Sequence, residues 1–360
     1  MKEQLIETLR ALTSLHGAPG FEQPVVRYLA EQFAATGASI DVDEMGNLYA
    51  TLDGEDEAPH LMVAAHSDEI GAVVRAIHPD GFLSIDPIGG LIPTHLVAQR
   101  VRVGDNLGVV GVLPGHVQSA AERRQVPEIH DLFVDIGARS AEEVAAMGIA
   151  VGTPVTYDVP LAVFGNGERL TGKAIDNRLG CAVLLQLFRQ LEDRPPAGPL
   201  TALVAVQEEV GFRGATVGAH RVQPDYAIVV DTFPIGDTPG VPERRMPGRL
   251  GEGPVLVVAA SSGRSGRGHI THPRLQEWLE GAAQRAGVPL QKATSIGIAI
   301  SDAAAIHLSG RGVATGVLGL PRRYSHSPVC TFDVGDALGA VRVLVQVAGE
   351  MAEHQERRFI

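Results

Sequence analysis

Short apolar runs, each followed by a polar side chain of a metal-binding type, constrain this chain more than any other feature. Four such runs predict strands, at residues 60–65, 200–206, 227–230 and 313–318. Stretches with helical periodicity separate several of them. This alternation is typical of a layered α/β domain with a parallel or mixed sheet.

Helical periodicity is clearest at the start of the chain, where Leu5, Ile6, Leu9 and Leu12 share one face of a helix predicted over 4–15. The same reasoning predicts further helices at residues 25–33, 177–191 and 273–286. These helices would flank the sheet.

The segment between residues 70 and 164 has a different rhythm. Short Val-rich stretches are broken by Gly, Pro and Asp, and only 141–147 looks helical. This pattern is typical of a small β-barrel or sandwich. The Val-rich stretches predict strands at residues 71–77, 96–103 and 107–113.

The length of 360 residues exceeds what one hydrophobic core usually holds, so we expect two domains. One candidate ligand precedes the β-rich block and the others follow it. We therefore predict a catalytic domain in two parts, 1–69 and 165–360, with residues 70–164 inserted as a β-rich dimerisation domain.

Composition excludes several classes of protein. The formal net charge of −12 argues against a nucleic-acid partner, and two cysteines leave no room for a disulfide framework. The first residues carry acids rather than a basic and then apolar stretch, and no apolar run approaches the roughly 20 residues that span a bilayer. We expect a cytoplasmic protein without a membrane partner.

His66 and Asp68 follow the first predicted strand. Residues two apart on an extended chain face the same side, so Asp68 is placed to hydrogen-bond the imidazole nitrogen that does not bind metal. A polar turn at the end of the strand is the plainer alternative.

Three further carboxylates lie at comparable positions. Asp176 begins a predicted helix, where it would either cap the helix or bridge two cations. Glu208 and Glu209 end an apolar run, and the following Gly211 predicts a turn that lets both side chains reach one site. One glutamate would bind metal while the other acts as general base.

Asp231 and His326 complete the set, since Asp231 follows one apolar run and His326 follows another after a predicted turn at Pro-Arg-Arg-Tyr-Ser, residues 321–325. Mixed imidazole and carboxylate ligands suit zinc, cobalt or manganese. Among the other histidines, His95 and His307 are the strongest additional candidates. Asp302 would either support the site or cap a helix, and capping is the simpler interpretation. We expect Cys181 to be a small core residue.

At these motifs the chain resembles the tetrahedral aminopeptidase family of dinuclear metallopeptidases. The resemblance is carried by Ala-Ala-His66-Ser-Asp68-Glu-Ile-Gly, Gly-Lys-Ala-Ile-Asp176-Asn-Arg, Gln-Glu208-Glu209-Val-Gly, Asp231-Thr-Phe-Pro and Arg-Tyr-Ser-His326-Ser-Pro, and by Gly-Val-Leu-Pro-Gly-His in the insert. The chain departs from the family pattern at Ser325 and in a Gly-Arg-rich stretch over 263–268.

The resemblance implies an α/β peptidase domain interrupted by a β-barrel-like dimerisation domain. It also implies roles for the site residues: Asp176 bridges two divalent cations, most simply zinc, with cobalt or manganese as alternatives. His66 and Asp231 would hold one cation, and Glu209 and His326 the other. Glu208 would be the general base and Asp68 the carboxylate behind His66. Members of this family commonly form dimers that assemble into tetrahedral dodecamers.

We therefore predict an aminopeptidase that removes N-terminal residues from short peptides. A carboxypeptidase or deacylase on the same site is the main alternative, which Arg178 and Arg213 keep open because such enzymes need a cation for the substrate carboxylate. A glucan hydrolase is disfavoured by the single Trp and the 4% aromatic content, which leave few surfaces for sugar stacking. A binding protein with a vestigial metal site is disfavoured because all expected ligands are present.

Overall fold

A computed structural model describes residues 1–55, 57–241, 244–263 and 267–354. Residues 264–266 of the Gly-Arg-rich stretch therefore lie outside the described residues. Among the described residues, no helix is both long and apolar enough to cross a membrane.

The strands form one large mixed sheet and one closed barrel. In chain order they are Ser39–Val42 (β1), Leu48–Leu52 (β2), Leu61–His66 (β3), Gly71–Ile77 (β4), Leu83–Ile88 (β5), Arg100–Val103 (β6), Asn106–Val110 (β7), Val134–Asp135 (β8), Pro154–Tyr157 (β9), Ala162–Val163 (β10), Arg169–Gly172 (β11), Leu200–Ala205 (β12), Tyr226–Pro234 (β13), Val255–Ser261 (β14), Gly268–Ile270 (β15), Gln291–Ile296 (β16), Ala314–Arg323 (β17) and Cys330–Asp333 (β18).

The α-helices flank this sheet and, in two short cases, belong to the insert. They are Lys2–Ser14 (α1), Gln23–Ala34 (α2), Pro93–Leu96 (α3), Ala141–Ala146 (α4), Ile175–Leu191 (α5), Arg213–Val222 (α6), Pro273–Arg285 (α7), Ala303–Ile306 (α8) and Val334–Gly349 (α9). Short 3-10 helices cover Glu122–Arg124, Ile129–Asp131 and Met351–Glu353.

The large sheet has the order β1-β2-β12-β3-β13-β17-β18-β11-β10, with β14 pairing β15, β16 and β17. Its centre is parallel, because β12 and β13 flank β3 and β17 follows β13 in the same direction. Apolar side chains on one sheet face pack with α1, α5, α7 and α9, and those on the other face pack with α6 and α8. The predicted mixed α/β fold is confirmed.

The insert is a closed barrel in the order β4-β5-β8-β7-β6-β9, with its own apolar core. A β-rich insert is thus confirmed, while the boundaries at residues 70 and 164 remain predictions. Two details differ from the prediction. Only residues 100–103 of the predicted strand at 96–103 form a strand, β6, because Leu96 ends the short helix α3. Three barrel strands, β5, β8 and β9, were not predicted, because β8 has only two residues and the apolar positions of β5 and β9 are interrupted by polar residues and proline.

Candidate functional site

Parallel strands carry the candidate residues to one edge of the large sheet. His66 is the last residue of β3 and pairs with Ala205, the last residue of β12. Glu208 and Glu209 follow β12, and Asp231 lies in β13, the other neighbour of β3. Because the carboxyl ends of parallel strands meet at one edge, residues far apart in sequence lie close together there.

The two glutamates occupy a tight turn after β12. Gln207 and Gly211 both have left-handed backbone angles, with φ of 56° and 118°. Asp68 fixes this turn, since its Oδ1 accepts the backbone N–H of Glu208 and its Oδ2 that of Glu209, each at 3.0 Å. The turn lets both glutamate side chains face the same cavity, as the sequence predicted.

The candidate ligands form two adjoining groups, and within each group one donor atom per residue lies within 4.8 Å of the others. We call them the His66 cluster, formed by His66, Glu208 and Asp231, and the His326 cluster, formed by Asp176, Glu209 and His326.

Asp176 connects the two clusters. Its Oδ1 lies 3.5 Å from His66 Nε2 and accepts the hydroxyl of Thr232 at 2.8 Å. Its Oδ2 lies 3.3 Å from His326 Nε2 and pairs with the guanidinium of Arg322. Asp176 makes no capping hydrogen bond at the start of α5, where Asn177 Oδ1 instead accepts the backbone N–H of Gly180 at 3.1 Å, so the capping alternative for Asp176 is wrong.

The remaining donor distances are similar. His66 Nε2 lies 3.8 Å from Asp231 Oδ1 and 3.9 Å from Glu208 Oε2, and His326 Nε2 lies 3.5 Å from Glu209 Oε1. Donors about 2.1 Å from a tetrahedral zinc ion are about 3.4 Å apart. Both the spacing and the imidazole-carboxylate chemistry therefore fit two divalent cations of the zinc type.

Burial and mutual repulsion dominate the electrostatics of the clusters. Burial raises the pKa of Glu209 and of Asp231 to about 7 each, and it raises the pKa of Glu208 well above its usual value. Burial would also raise the pKa of Asp176, but the positive charge of Arg322 and the interactions with His326 and His66 together outweigh it and hold that pKa well below 3.8. A cluster of this many buried carboxylates is stabilised when cations bind close to it.

His66 is poised between opposing effects. Burial lowers its pKa, but the negative charge of Glu208 and the carboxylates of Asp176 and Asp68 outweigh burial and raise the pKa well above 6.5. Its Nδ1 lies 3.4 Å from Asp68 Oδ1, on the ring side away from the cluster. Asp68 therefore lies behind His66, as predicted, but His66 Nδ1 forms no hydrogen bond with it within the described part of the chain.

Four residues with left-handed backbones adjoin the candidate ligands. Ala174, Gln207, Tyr324 and His326 have φ between 53° and 56°. Non-glycine residues adopt this conformation at a cost, and they cluster at functional sites whose geometry the surrounding structure enforces.

The clusters open into a cavity of about 610 Å³. Its walls include apolar side chains beside the charged groups, namely Ile92, Phe212, Met246, Ile298 and Ile300. The volume and the combination of apolar walls with a few charged groups are typical of a small-molecule binding site.

Sequence reasoning missed three contributors to this site. Arg322 was placed in a turn but belongs to β17, and it points at Asp176. Thr232, also missed, donates to Asp176. The insert contributes Gly90, whose carbonyl oxygen lies 3.2 Å from His326 Nδ1. Only the strand alternation of Arg322 and Arg323 offered a signal, since one of the two had to face inward.

The other candidates divide clearly. His95 Nδ1 lies 3.0 Å from the backbone oxygen of His326, so it touches the site, whereas His307 lines a neighbouring cavity. Asp302 makes no capping hydrogen bond, contrary to prediction; burial raises its pKa to about 8. Cys181 is buried and donates to the backbone oxygen of His66 at 3.1 Å.

Neither Arg178 nor Arg213 is placed to bind a substrate carboxylate, as the carboxypeptidase alternative requires. Arg178 is completely buried and donates to the backbone oxygens of Ser67 and Leu12. Arg213 instead donates to the side chain of Gln207 at 3.3 Å. Neither lines the cavity.

Comparison with known proteins places this site in a family. The sequence profile described as M42 glutamyl aminopeptidase matches residues 46–343. The glutamyl aminopeptidase of Lactococcus lactis subsp. cremoris is 35% identical over 346 residues, covering 94% of each chain.

Two solved structures are also similar to this chain. Aminopeptidase APDkam598 from the archaeon Desulfurococcus kamchatkensis is 35% identical, with a TM-score of 0.91 over 99% of this chain and 98% of that one. The Pyrococcus horikoshii TET1 peptidase, which can assemble into a tetrahedron or a large octahedral shell, is 27% identical, with a TM-score of 0.84 over 96% of this chain and 99% of that one.

Proposed function

The chain belongs to the M42 glutamyl aminopeptidase family and is a peptide-hydrolysing aminopeptidase, and we propose that it uses two divalent cations with Glu208 as the proton-transferring group. The substrates would be short peptides cut after their N-terminal residue. The observation that carries this proposal is the convergence of the His66 and His326 clusters, with Asp176 between them.

Five residues have proposed roles as ligands of the cations. His66 and Asp231 would hold one, Glu209 and His326 the other, and Asp176 both. When bound, such cations supply Lewis acidity that lowers the pKa of water and polarises the scissile carbonyl. Zinc fits these ligands best, and cobalt and manganese also suit them.

Glu208 is proposed to move the proton. Its Oε2 lies 3.9 Å from His66 Nε2, and the side chain lines the cavity. The carboxylate would accept a proton from the attacking water and return it to the nitrogen of the leaving amine. Asp68 holds the backbone of Glu208 and so fixes where that carboxylate can reach.

Assembly into homo-oligomers, with dimers building a tetrahedral dodecamer, is part of the proposal. It is supported by the shells that the Pyrococcus horikoshii relative forms. Exposed apolar side chains on the insert offer a surface for such contacts, including Leu107, Val109, Leu113 and Phe133. Sedimentation of the purified protein would measure the assembly. The cytoplasmic location stays a prediction.

A matched pair of variants tests the chemistry. Glu208→Gln should keep two metal equivalents while kcat falls by about 10²- to 10⁴-fold, the usual contribution of general acid–base catalysis. Glu209→Gln should instead lose metal. Elemental analysis and turnover of an aminoacyl-nitroanilide give both readouts. Near-normal turnover of Glu208→Gln would remove Glu208 from its role.

Comparing a peptide with its N-acetylated counterpart distinguishes an aminopeptidase from the main alternative, a carboxypeptidase or deacylase. An aminopeptidase requires a free α-amine, so a short peptide should be cut and its N-acetylated counterpart should not. Preferential cleavage of the acetylated peptide would favour a deacylase-type activity instead.

A further inference from the structure

Arg322 is the positively charged side chain in the wall of the active-site cavity. It is the one Lys or Arg among the described residues that line the cavity, and only 5% of its surface is exposed. It lies near the end of β17, opposite Pro234 of β13 and Phe332 of β18. A fixed charge in this position acts on everything bound there.

The next residue points the other way. Successive side chains of a strand face opposite sides of the sheet. Accordingly, Arg323 leaves the site and makes a bidentate pair with Asp237, with Nε and Nη2 donating at 2.7 and 2.6 Å. The two arginines thus carry the same charge on opposite sides of one strand.

Arg322 acts on one of the two clusters more than on the other. It pairs with Asp176 Oδ2, the oxygen that also lies 3.3 Å from His326 Nε2. The other oxygen, Oδ1, faces His66 and accepts the hydroxyl of Thr232. The guanidinium therefore lies on the side of the His326 cluster, beside the Asp176 oxygen that faces His326.

The pairing leaves Arg322 incompletely satisfied. Its Nη1 pairs with Asp176 Oδ2, whereas its buried Nε forms no hydrogen bond within the described part of the chain. A buried cation is costly without full compensation, so this one is held in place by the carboxylates around it. This charge would repel a divalent cation held by the same carboxylate.

We propose that Arg322 makes the two cation positions unequal, so that the cation in the His326 cluster binds more weakly than the one in the His66 cluster. This inference rests on the proposed dinuclear site. The rival role is that of a group that orients a metal ligand. Such a group usually strengthens metal binding, and its loss weakens binding about 10- to 100-fold. The two roles predict changes of opposite sign.

The test compares metal retention in full-length protein loaded with Zn²⁺ or Co²⁺. Samples are challenged with increasing concentrations of a chelator, desalted, and analysed for metal per chain. Wild type should lose one equivalent well before the second. In Arg322→Met, which removes the charge but keeps an unbranched stem, the first loss should require about tenfold more chelator.

Two further variants complete the design. Arg322→Gln retains a hydrogen-bond donor without the charge, so it should behave like Arg322→Met and carries the test if Met at this position impairs folding. Arg323→Met removes the same charge from the opposite side of the strand and should lose metal as wild type does. Circular dichroism checks the fold of each variant.

The outcomes distinguish the two proposals. Two equivalents in wild type, with unchanged or earlier loss in the Arg322 variants, would overturn only the role of Arg322. Fewer than two equivalents in fully loaded wild type would overturn the dinuclear site and this inference with it. A later first loss in both Arg322 variants, but not in Arg323→Met, supports the inference.

Discussion

Asp68 accepts the backbone N–H of Glu208 at 3.0 Å, which ties the loop after β3 to the turn after β12. The same carboxylate accepts the N–H of Glu209 and lies 3.4 Å from the His66 ring. One buried side chain therefore positions three neighbours at once.

We predict that Asp68→Asn lowers activity by about 10- to 100-fold, the usual range for groups that orient metal ligands. An amide has only one acceptor oxygen, so one of the two backbone N–H groups would lose its partner. Steady-state kinetics and metal content measure the effect. Ser67→Ala, which removes a neighbouring hydroxyl that donates to Ala205, is the control and should change activity far less.

Gly90 permits the insert to approach His326. A Cβ atom at this position would overlap the Nδ1 and Cε1 atoms of the His326 ring. We predict that Gly90→Ala displaces the ring, lowers kcat and reduces bound metal from two equivalents towards one. The same change at Gly115, where an added Cβ meets nothing within 4 Å, should be silent. Full metal content in Gly90→Ala would contradict the prediction.

Glu69 neutralises two buried cations behind the site. Its carboxylate accepts Lys173 Nζ at 2.7 and 3.0 Å and lies 3.5 Å from Arg178 Nη2. Glu69→Gln leaves these charges uncompensated, so the free energy of unfolding should fall by about 3–5 kcal/mol.

Urea denaturation measures that loss. Adding Lys173→Met to Glu69→Gln should recover part of it, because one buried charge then disappears with its partner. A double variant that is less stable by the sum of both single losses would show that the pair does not act as a unit.

Acid should destabilise the protein through His269. Burial lowers its pKa from 6.5 to about 4, so the unfolded chain binds more protons between these values. The stabilisation is complete above pH 6.5 and is lost as the pH falls towards 4, by up to about 3 kcal/mol. Burial likewise lowers the pKa of His16 to about 4, which adds to the loss.

Urea midpoints measured from pH 7 to pH 4 test this pH dependence. His269→Leu should flatten the decline, since a group whose pKa is lowered to about 4 is removed. An identical decline in wild type and variant would show that His269 does not contribute.

The parts of the site that the sequence predicted correctly depend on local patterns. His66 ends an apolar run, and Glu208 and Glu209 precede a glycine, so strand ends and a turn could be recognised from neighbours in the chain. The parallel sheet then brings such ends together by general rules.

What could not be predicted depends on contacts between distant segments. Gly90 meets His326 across 236 positions, and Arg322 meets Asp176 only because β17 continues past Pro321, where a turn was expected. The burial of Asp302 could not be predicted either, because it arises where the following helix, α8, packs against α6, β13, β15 and β17. Side-chain direction at such points is set by tertiary packing.

The contact between Gly90 and His326 has a consequence for recombining parts of related enzymes. The ring of one candidate ligand takes its orientation from a carbonyl oxygen of the inserted barrel, and the backbone beside that ring is held in turn by His95. A chimaera that exchanges the barrel must therefore take residues 89–95 and 324–327 from the same parent. Otherwise the contact that orients the His326 ring is lost.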